Sequence, residues 1–528
     1  MATAPPAHDP ATAQEDAAGA RRRELDGDKA TKRQLRGSSL LLAGRILSLG
    51  VNFVTQVLIV RYLSKNDFGI FAYGLSMVAL GEAVATVGLD KGISRFLPIY
   101  DERKQYAKLF GTLFMSLGTV LGLGLAFLLL AVGLDGFAGG DMANDPHAIT
   151  VLLIILCLSP LQALDGIFMG AFAVFGNPRA IFFRKYVLAP GLRLAAIGLV
   201  ILSAGGVEEL AAGYVIAGAV GIVLYVFMLA SSLKADGLLP HLDLRRMEYP
   251  AREIFGFCLP LIVVDLLFVV MNTTNVFMLE AFGSTTDVAD YRVVQPAAKL
   301  NLLVMTSFAL LFTPQAARFF ARGDNEGISN LYWRTAAWMA VFSFPIFAMT
   351  CMSSHAVTVA LFGERYASSA PILALLSLGY YFNAALGYNG LTLRVYGLVK
   401  LIVNVSIAAA VANVLVNLAL IPAYGAIGAG IGTCVTLILH NALKQWGLKR
   451  GTGISILDPR MRRTYGSVLL GTLLLGAVNL ALQPNVVVAL ALAAIVSLAV
   501  VRFNRSELQV AETFPELSRI PLLGRILS

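Results

Sequence analysis

The chain has 528 residues, of which 57% are hydrophobic and 14% are charged, and its mean hydropathy is +0.74. Soluble globular domains carry about 25% charged residues, so this composition excludes an ordinary soluble protein and indicates a membrane protein. The formal net charge of +9 does not indicate nucleic-acid binding, because no basic soluble domain accompanies it.

The N-terminal segment, 1–37, is rich in Ala, Pro and charged residues and has no apolar core like that of a signal peptide. This composition predicts a disordered cytoplasmic tail. From residue 38 onward, apolar windows recur that are each long enough to cross a hydrocarbon core of about 30 Å.

The apolar windows fall into groups along the chain. Six precede a polar stretch: 38–61, 68–89, 109–134, 149–173, 180–202 and 210–230. Six more follow it: 254–279, 288–312, 331–352, 372–393, 401–421 and 426–443. A basic loop at 444–463 precedes the last two, 465–482 and 486–501. The sequence thus predicts the following parts: an N-lobe at 38–230, a cytoplasmic linker at 231–253, a C-lobe at 254–443, two extra helices at 465–501, and a cytoplasmic tail at 502–528 that includes a candidate interfacial helix.

An internal repeat relates the two groups of six windows. At a shift of 220 residues, the aligned pairs are Ser64 with Ser284, Asp67 with Asp287, and Asn52 with Asn272. Because the shift covers an even number of helices, the two copies keep one orientation and form parallel repeats. The predicted fold is an all-α membrane protein of about fourteen transmembrane helices, with two parallel six-helix lobes and two C-terminal helices.

Positive charge is distributed unevenly between the two sides of this topology. The side that holds the N-terminal tail collects most loop cations, including Arg103, Lys104 and Arg184, whereas the other side is mainly acidic. The positive-inside rule then places both termini in the cytoplasm, which requires an even number of helices. We expect a multi-pass protein of the cell membrane.

The sequence contains no catalytic constellation. It has no Walker A loop, no GxSxG motif and no HExxH motif, and its five His residues are scattered. The four cysteines form no CxxC pair and have no His at ligand spacing. The glycines at 425–432 open an apolar helix without a preceding strand, which indicates close helix packing. We therefore predict a protein that is not an enzyme and that has no catalytic residues, metal site or cofactor.

Ionisable residues inside apolar windows are informative, because each costs about 2.5–3.5 kcal/mol there and must face the bundle interior or water. Helical spacing places several of them on stripes with neutral polar residues. The candidate substrate-binding residues are Arg45, Asn52, Gln56, Arg193, Asn272, Arg292, Gln295 and Lys299. The candidates for gating or ion coupling are Glu82, Asp165 and Asp265.

Two alternatives remain open for these charges. The first is that they only pair between helices, and that Arg292, near a helix end, extends to the membrane interface. The second concerns Arg45 and Asp265, which the repeat places at equivalent positions. They form either an ion pair that closes the cytoplasmic half of a cavity, or an anion-binding cation and a separate proton or cation site. We favour anion binding for Arg45.

Three segments resemble the polysaccharide transporter, or oligosaccharide flippase, family of the multidrug, oligosaccharidyl-lipid and polysaccharide exporter superfamily. They are GRILSLGVNFVTQVLIVRYLSKNDFGIFAYGLSMVALGEAVATVGLDKGISRFLP, LFGERYASSAPILALLSLGYYFNAALGYNGLTLRVYGLVK and ANVLVNLALIPAYGAIGAGIGT. The resemblance covers about 38–501. It implies a fourteen-helix fold and alternating access that moves an undecaprenyl-pyrophosphate-linked oligosaccharide across the bacterial inner membrane during surface polysaccharide biosynthesis. The implied partners are this lipid-linked substrate, membrane lipids, an H⁺ or Na⁺ coupling ion, a polysaccharide polymerase and glycosyltransferases.

Three rival functions remain at this point. A multidrug or cation antiporter of the same superfamily should have an acidic, aromatic cavity, whereas the stripes here are cationic overall. A lipid II flippase shares fourteen helices and a cationic cavity, so the sequence separates it poorly. A membrane-bound sugar polymerase or ligase would need a sizeable outer loop with carboxylates or His, and the longest outer loop, 134–148, is short.

The one-sided distribution of Lys and Arg generates a test of topology. We expect reporter fusions at Asp141 to report a periplasmic location and fusions at Arg246 to report a cytoplasmic one. Paired phosphatase and fluorescent-protein fusions measure the two locations independently. The reverse pattern would overturn the predicted orientation.

Overall fold

The computed structural model describes residues 43–134, 138–175, 181–482 and 484–508, and within these ranges all regular structure is helical. The helices of the first half are α1 Ala43–Tyr62, α2 Lys65–Thr86, α3 Leu89–Glu102, α4 Tyr106–Gly133, α5 Pro146–Leu156, α6 Leu158–Phe175, α7 Phe183–Leu202 and α8 Val207–Ala235. A short 3-10 turn, Gly140–Asn144, lies between α4 and α5. The predicted tail 1–37 lies outside the described residues, as does the end of the chain beyond residue 508.

The second half continues in the same way. Its helices are α9 Ala251–Phe282, α10 Thr285–Lys299, α11 Leu303–Ala321, α12 Asn325–Phe347, α13 Ser354–Phe362, α14 Ala370–Ala385, α15 Asn389–Val395 and α16 Val399–Thr452. The last three are α17 Arg462–Leu482, α18 Val486–Phe503 and α19 Arg505–Leu508. We call the side of the bundle where α1 begins the near face, and the side where α1 ends the far face.

The described residues contain fourteen membrane spans. Twelve helices are long and apolar enough to cross a bilayer, and the chain from Thr285 to Ala321, bent by 46°, is a thirteenth. One of the twelve, α16, has 54 residues and breaks at Gly425, where φ is 53° and ψ is −132°. An unbroken helix of that length would be about 80 Å long, far more than a hydrocarbon core of about 30 Å. It therefore forms two spans, and the predicted fold class is confirmed.

The helix contacts show two lobes and a separate pair of C-terminal helices. In the first half, α2 packs against α4, α5 and α6; in the second half, α16 packs against α9, α10 and α14. The lobes meet where α2 contacts α9 and α10 and where α3 contacts α9. The two C-terminal helices α17 and α18 pack against each other and against α12. The central helices α2 and α10 thus face each other across the lobe boundary.

The repeat is visible in the way these two central helices begin. The Ser64 hydroxyl accepts a hydrogen bond from the Asp67 amide at 3.1 Å, and the Ser284 hydroxyl accepts one from the Asp287 amide at 3.2 Å. Each hydroxyl also donates to the carboxylate of its Asp partner at 2.7 Å. Such N-terminal caps satisfy amides that no helical carbonyl reaches. The same four-residue pattern therefore starts α2 and α10 at equivalent positions.

Several helices extend beyond the apolar windows that predicted them. The sixth window ends at residue 230 but α8 continues to Ala235, and the predicted loop after 443 is helical to Thr452. Hydropathy measures the length that lies in lipid and not the whole helix. Here Gln445 continues the helix past the apolar window and accepts a hydrogen bond from the buried Tyr332 hydroxyl at 2.6 Å.

At the far face, the backbones of the two lobes come so close together that no side chain fits between them. A Cβ added to Gly69 of α2 would lie 2.3 Å from the Thr285 carbonyl oxygen of α10. Gly140, with φ at +51°, is in a similar position, because a Cβ added to it would lie 1.9 Å from the Glu280 carbonyl oxygen. Only glycine fits these positions. The far face is therefore closed by direct contact between main chains.

This contact predicts the effect of one added methyl group. We expect Gly69→Ala to lower the stability of the purified protein by about 1–3 kcal/mol, because the new Cβ must displace a carbonyl of the opposite lobe. The matched control is Gly122→Ala in α4, where an added Cβ meets nothing within 4 Å. Alanine favours a helix over glycine by about 1 kcal/mol, so the control should be neutral or stabilising in a thermal melt. Equal melting temperatures for the two variants would contradict the packing argument.

Candidate functional site

A cavity of about 600 Å³ lies between the two lobes. Its polar lining residues come from α1, α6, α7 and α8 on one side and from α9, α10 and α11 on the other: Arg45, Asn52, Thr55, Gln56, Gln162, Arg193, Tyr214, Asn272, Thr273, Arg292, Gln295, Lys299 and Thr306. Apolar residues of α2, including Phe68 and Phe71, complete the wall. All eight candidate substrate-binding residues predicted from the sequence lie in this one lining.

The first helix contributes one polar face. Arg45, Asn52 and Gln56 lie at i, i+7 and i+11 and all line the cavity. Arg45 is exposed in the first turn of α1, so the cavity is accessible from the near face. Deeper in the membrane, the Asn52 amide donates to the Ser48 hydroxyl at 3.1 Å, which orients it.

The cationic stripe of α10 faces the same space. The Arg292 guanidinium donates to the Gln295 side-chain oxygen at 3.0 Å and to the Ser76 hydroxyl of α2, in the opposite lobe. Its Nε is buried without a hydrogen-bond partner. Arg292 therefore points into the protein and does not extend to the membrane interface, which was the alternative from the sequence. Lys299, two turns further along, also lines the cavity.

Arg193 belongs to two spaces at once. It lines the main cavity and also a side pocket of about 80 Å³ inside the first lobe. Gln162 and Tyr214 are shared in the same way, and Asp165 and Tyr225 line only the side pocket. This volume is large enough to admit water, so the first lobe has a small polar pocket that shares residues with the main cavity.

The charge of the main cavity has one sign. Among the described residues that line it, four are cations, namely Arg45, Arg193, Arg292 and Lys299, and none is Asp or Glu. Low-dielectric walls strengthen the field of like charges in a cleft. Guanidinium groups form charge-assisted, often bidentate hydrogen bonds with phosphate and carboxylate. The arrangement suits an anionic ligand and opposes a cationic one.

The three acidic candidates lie outside the main cavity. Glu82 of α2 is within electrostatic range of Asp165 and Arg193 in the first lobe. Asp165 forms an ion pair with Arg184, whose buried guanidinium lies 4.1 Å from the ring centre of Tyr225. The sequence had placed Arg184 only among the loop cations. Its burial depends on this partner and on the aromatic ring, neither of which is adjacent in sequence.

The proposed pairing of Arg45 with Asp265 is absent from the described contacts. Asp265 instead forms an ion pair with Lys91 of α3. The physical reason is the way the lobes meet: α3 packs against the first half of α9, with Gly92 beside Cys258. The Tyr100 hydroxyl strengthens this near-face seam by donating to Glu253 at 3.0 Å. This seam closes the near face between α3 and α9.

The far end of the cavity is closed by polar contacts between the lobes. Arg61 of α1 donates to the carbonyls of Leu361, at 2.8 Å, and Ala360 in the last turn of α13. Arg365 donates in return to the carbonyls of Val60 and Arg61 in the last turn of α1. We call this reciprocal pair of contacts the arginine clasp. Each guanidinium neutralises the partial negative charge of a helix C-terminus.

An ion pair lies beside the arginine clasp. Lys65 of α2 contacts Asp290 of α10 at 2.8 Å, and Asp290 also accepts from the Ser369 hydroxyl at 2.7 Å. Together with the glycine contacts at the far face, these bonds separate the cavity from the far side. Within the described residues, the cavity therefore extends to the near face at Arg45 and is closed at the far face.

Sequence reasoning missed several neutral residues of the site. Gln162, Tyr214 and Thr273 line the cavity, and Ser76 holds Arg292 across the lobe boundary. No stripe marked them, because Ser, Thr and Tyr are common in helix packing. Among the described residues, no group of three or more His, Cys, Asp or Glu is arranged to hold a metal.

Comparisons with known proteins agree with this architecture. Residues 34–320 match the family model described as polysaccharide biosynthesis protein. A probable low-salt glycan biosynthesis flippase, Agl15 of Haloferax volcanii, is 18% identical over 77% of this chain and 82% of its own length. The lipid II flippase MurJ of Bacillus subtilis is 22% identical over 80% of this chain and 83% of its own length.

A solved structure of the lipid II flippase MurJ in an inward closed conformation has the same fold. It superposes with a TM-score of 0.65 at 16% identity and covers 89% of this chain and 99% of that one. The multi-pass helical fold and the family match thus lead to one assignment. The chain belongs to the polysaccharide biosynthesis protein family, and its fold is that of the membrane flippases of the multidrug, oligosaccharidyl-lipid and polysaccharide exporter superfamily.

Proposed function

We propose that this protein is a flippase that moves a lipid-linked oligosaccharide, carried on undecaprenyl pyrophosphate, across the bacterial inner membrane during surface polysaccharide biosynthesis. The proposal rests on the cavity between the two lobes. Among its described lining residues, four are cations and none is acidic. A pyrophosphate diester carries about two negative charges, which such a cavity neutralises.

The roles of the lining residues follow from their depth. Arg45, at the near-face opening, first meets the pyrophosphate as it enters from the cytoplasmic leaflet. Arg193, Arg292 and Lys299 then hold it inside the cavity, while the amides of Asn52 and Asn272 donate to and accept from sugar hydroxyls. The prenyl chain remains in lipid. Breaking the far-face contacts and closing the near face would release the sugar on the far side, which is alternating access.

The rival functions differ in how they fit this site. A lipid II flippase fits the same cavity, because its substrate is also a prenyl pyrophosphate sugar, and MurJ is a relative. A cation antiporter fits poorly, because a cation would meet four like charges. A polymerase or ligase would need catalytic acids or His facing the sugar, and none of the described cavity residues is either.

A single experiment separates the two flippase candidates. Deleting the gene and analysing lipid extracts by mass spectrometry should show accumulation of a prenyl-pyrophosphate-linked polysaccharide repeat unit. Accumulation of lipid II instead would favour the alternative. Glycosyltransferases on the cytoplasmic side must supply the substrate, and a polymerase on the other side must consume it. The coupling ion of this proposal is H⁺ or Na⁺.

The cationic cavity predicts the effect of removing single charges. We expect Arg193→Gln, Arg292→Gln and Lys299→Gln each to reduce flipping about ten- to a hundredfold, since a hydrogen bond to a charged group contributes about 1.5–3 kcal/mol. A liposome assay with fluorescent lipid-linked sugar measures the rate, and membrane abundance is measured by immunoblot.

The matched control is Arg322→Gln, which removes an exposed cation at the near face, outside the cavity. It should leave the rate unchanged. If all three cavity variants flipped substrate at the rate of this control, the cavity would not be the binding site.

The ion pair at the near face predicts which charge exchange restores transport. Asp265 contacts Lys91 and not Arg45. Lys91→Asp combined with Asp265→Lys should therefore recover a large part of the flipping that each single variant loses. Arg45→Asp combined with Asp265→Arg should stay inactive, because the binding cation is lost. Rescue by the second exchange alone would show that Arg45 and Asp265 form the gate.

A further inference from the structure

A buried carboxyl group lies at the far-face boundary between the lobes. Glu280 belongs to the last turn of α9 and is only 1% exposed. One oxygen, Oε1, accepts from the Met142 amide at 3.2 Å and from the Thr285 hydroxyl at 3.3 Å. The other oxygen, Oε2, is buried with no hydrogen-bond partner. None of the cavity contacts uses this group.

An ionised carboxylate does not fit these surroundings. It would have two long hydrogen bonds, from Met142 and Thr285, and a weaker backbone contact from Asp141, where a carboxylate has about four acceptor sites. Its Oε2 is buried without a hydrogen-bond partner. An unpaired buried charge costs far more free energy than an unpaired neutral hydroxyl. The neutral carboxylic acid is therefore the form that this site accommodates.

The titratable groups that face Glu280 give no compensation. Asp141, from the turn between α4 and α5, acts on Glu280 as a like charge. Tyr73 of α2 faces it from the other lobe and is neutral at physiological pH. Among the described residues, no Lys or Arg pairs with Glu280 in a salt bridge. Each of these titratable groups is thus neutral or negative.

The cover over Glu280 belongs to the opposite lobe. Met142 lies in the turn Gly140–Asn144, between α4 and α5. The backbone of Gly140 in this turn lies close to the Glu280 carbonyl oxygen. If the lobes part at the far face, this turn must leave α9, and the carboxyl group then meets water on that side. Burial of Glu280 and closure of the far face are therefore one event.

We propose that Glu280 is a proton-binding site whose protonation from the far side accompanies closure of the far face. The carboxylate takes up one proton when the lobes close over it, and the acid returns that proton to far-side water when they part. No electron is transferred and no other bond changes. The closed state holds one more proton, so acid on the far side favours closure and alkali favours opening.

This inference rests on the proposed function only for its consequence in transport. In a flippase that releases sugar at the far face, protons on that side would favour the return to the state that opens to the cytoplasm. The proton gradient of an energised bacterial membrane has the required direction. The site would thereby identify H⁺ as an ion that acts on the transport cycle.

The test measures far-face distance against pH without substrate, so its outcome is independent of the flippase assignment. Spin labels carried on non-natural ketone residues at Ser203 and Ala423, both exposed at the far face, leave the native cysteines intact. Pulsed dipolar spectroscopy of the full chain in lipid nanodiscs then gives the ratio of closed to open molecules. For the wild type we expect this ratio to fall by up to about tenfold per pH unit as Glu280 loses its proton, the limit for one linked proton.

Glu280→Gln is the decisive variant, because it keeps the size and the acceptor oxygen of the neutral acid. It should remain closed across the whole pH range. The matched control, Glu208→Gln, removes a far-face carboxylate of the first lobe that contacts His147, and should keep the wild-type pH dependence. A pH-independent wild type, or a Glu280→Gln protein that opens with pH as the wild type does, would overturn the proposal.

Discussion

The arrangement of this protein depends on a cavity in the membrane that is lined by cations and by no acidic residue among those described. A charge moved from water into a low-dielectric interior loses solvation worth several kcal/mol, and ordinary membrane proteins recover it by pairing. Here the charges pair outside the main cavity, where Asp165 meets Arg184 and Asp265 meets Lys91. Arg292 of the cavity is left with neutral partners, Ser76 and Gln295. The cavity cations therefore need an anion and water as partners, and the space between the two lobes can hold both.

The position of that space follows from two equivalent helix starts. Because Ser64 and Ser284 cap α2 and α10 in the same way, both helices enter the membrane from the far face and lie against each other at the lobe boundary. The cationic stripe of α10 then faces the first lobe, and the apolar face of α2 forms the opposite wall. The same four-residue hydrogen-bonding pattern thereby starts the two helices that form facing walls of the cavity.

Much of this was predictable, and the failures have physical causes. The spans and the stripes follow from hydropathy and helical spacing, which act along one helix, so Arg45, Gln56, Arg292 and Lys299 were found. Partners on other helices were not found, because two positions that are equivalent in the repeat need not lie on helices that touch. The repeat offered Asp265 as one possible partner of Arg45, whereas α3 brings Lys91 to it. Neutral residues such as Gln162 were missed because they cost little in a helix and leave no signal.

The arginine clasp has a consequence for how the two lobes tolerate sequence change. Arg61 and Arg365 each reach across the far face to carbonyl oxygens and not to a side chain. A carbonyl is present whatever residue occupies the position, so substitutions at Val60 or Leu361 leave the acceptors in place. The two halves of the protein can thus diverge in sequence at this seam while the bonds between them persist. Only the two arginines, and the helix ends that aim the carbonyls, need to be retained.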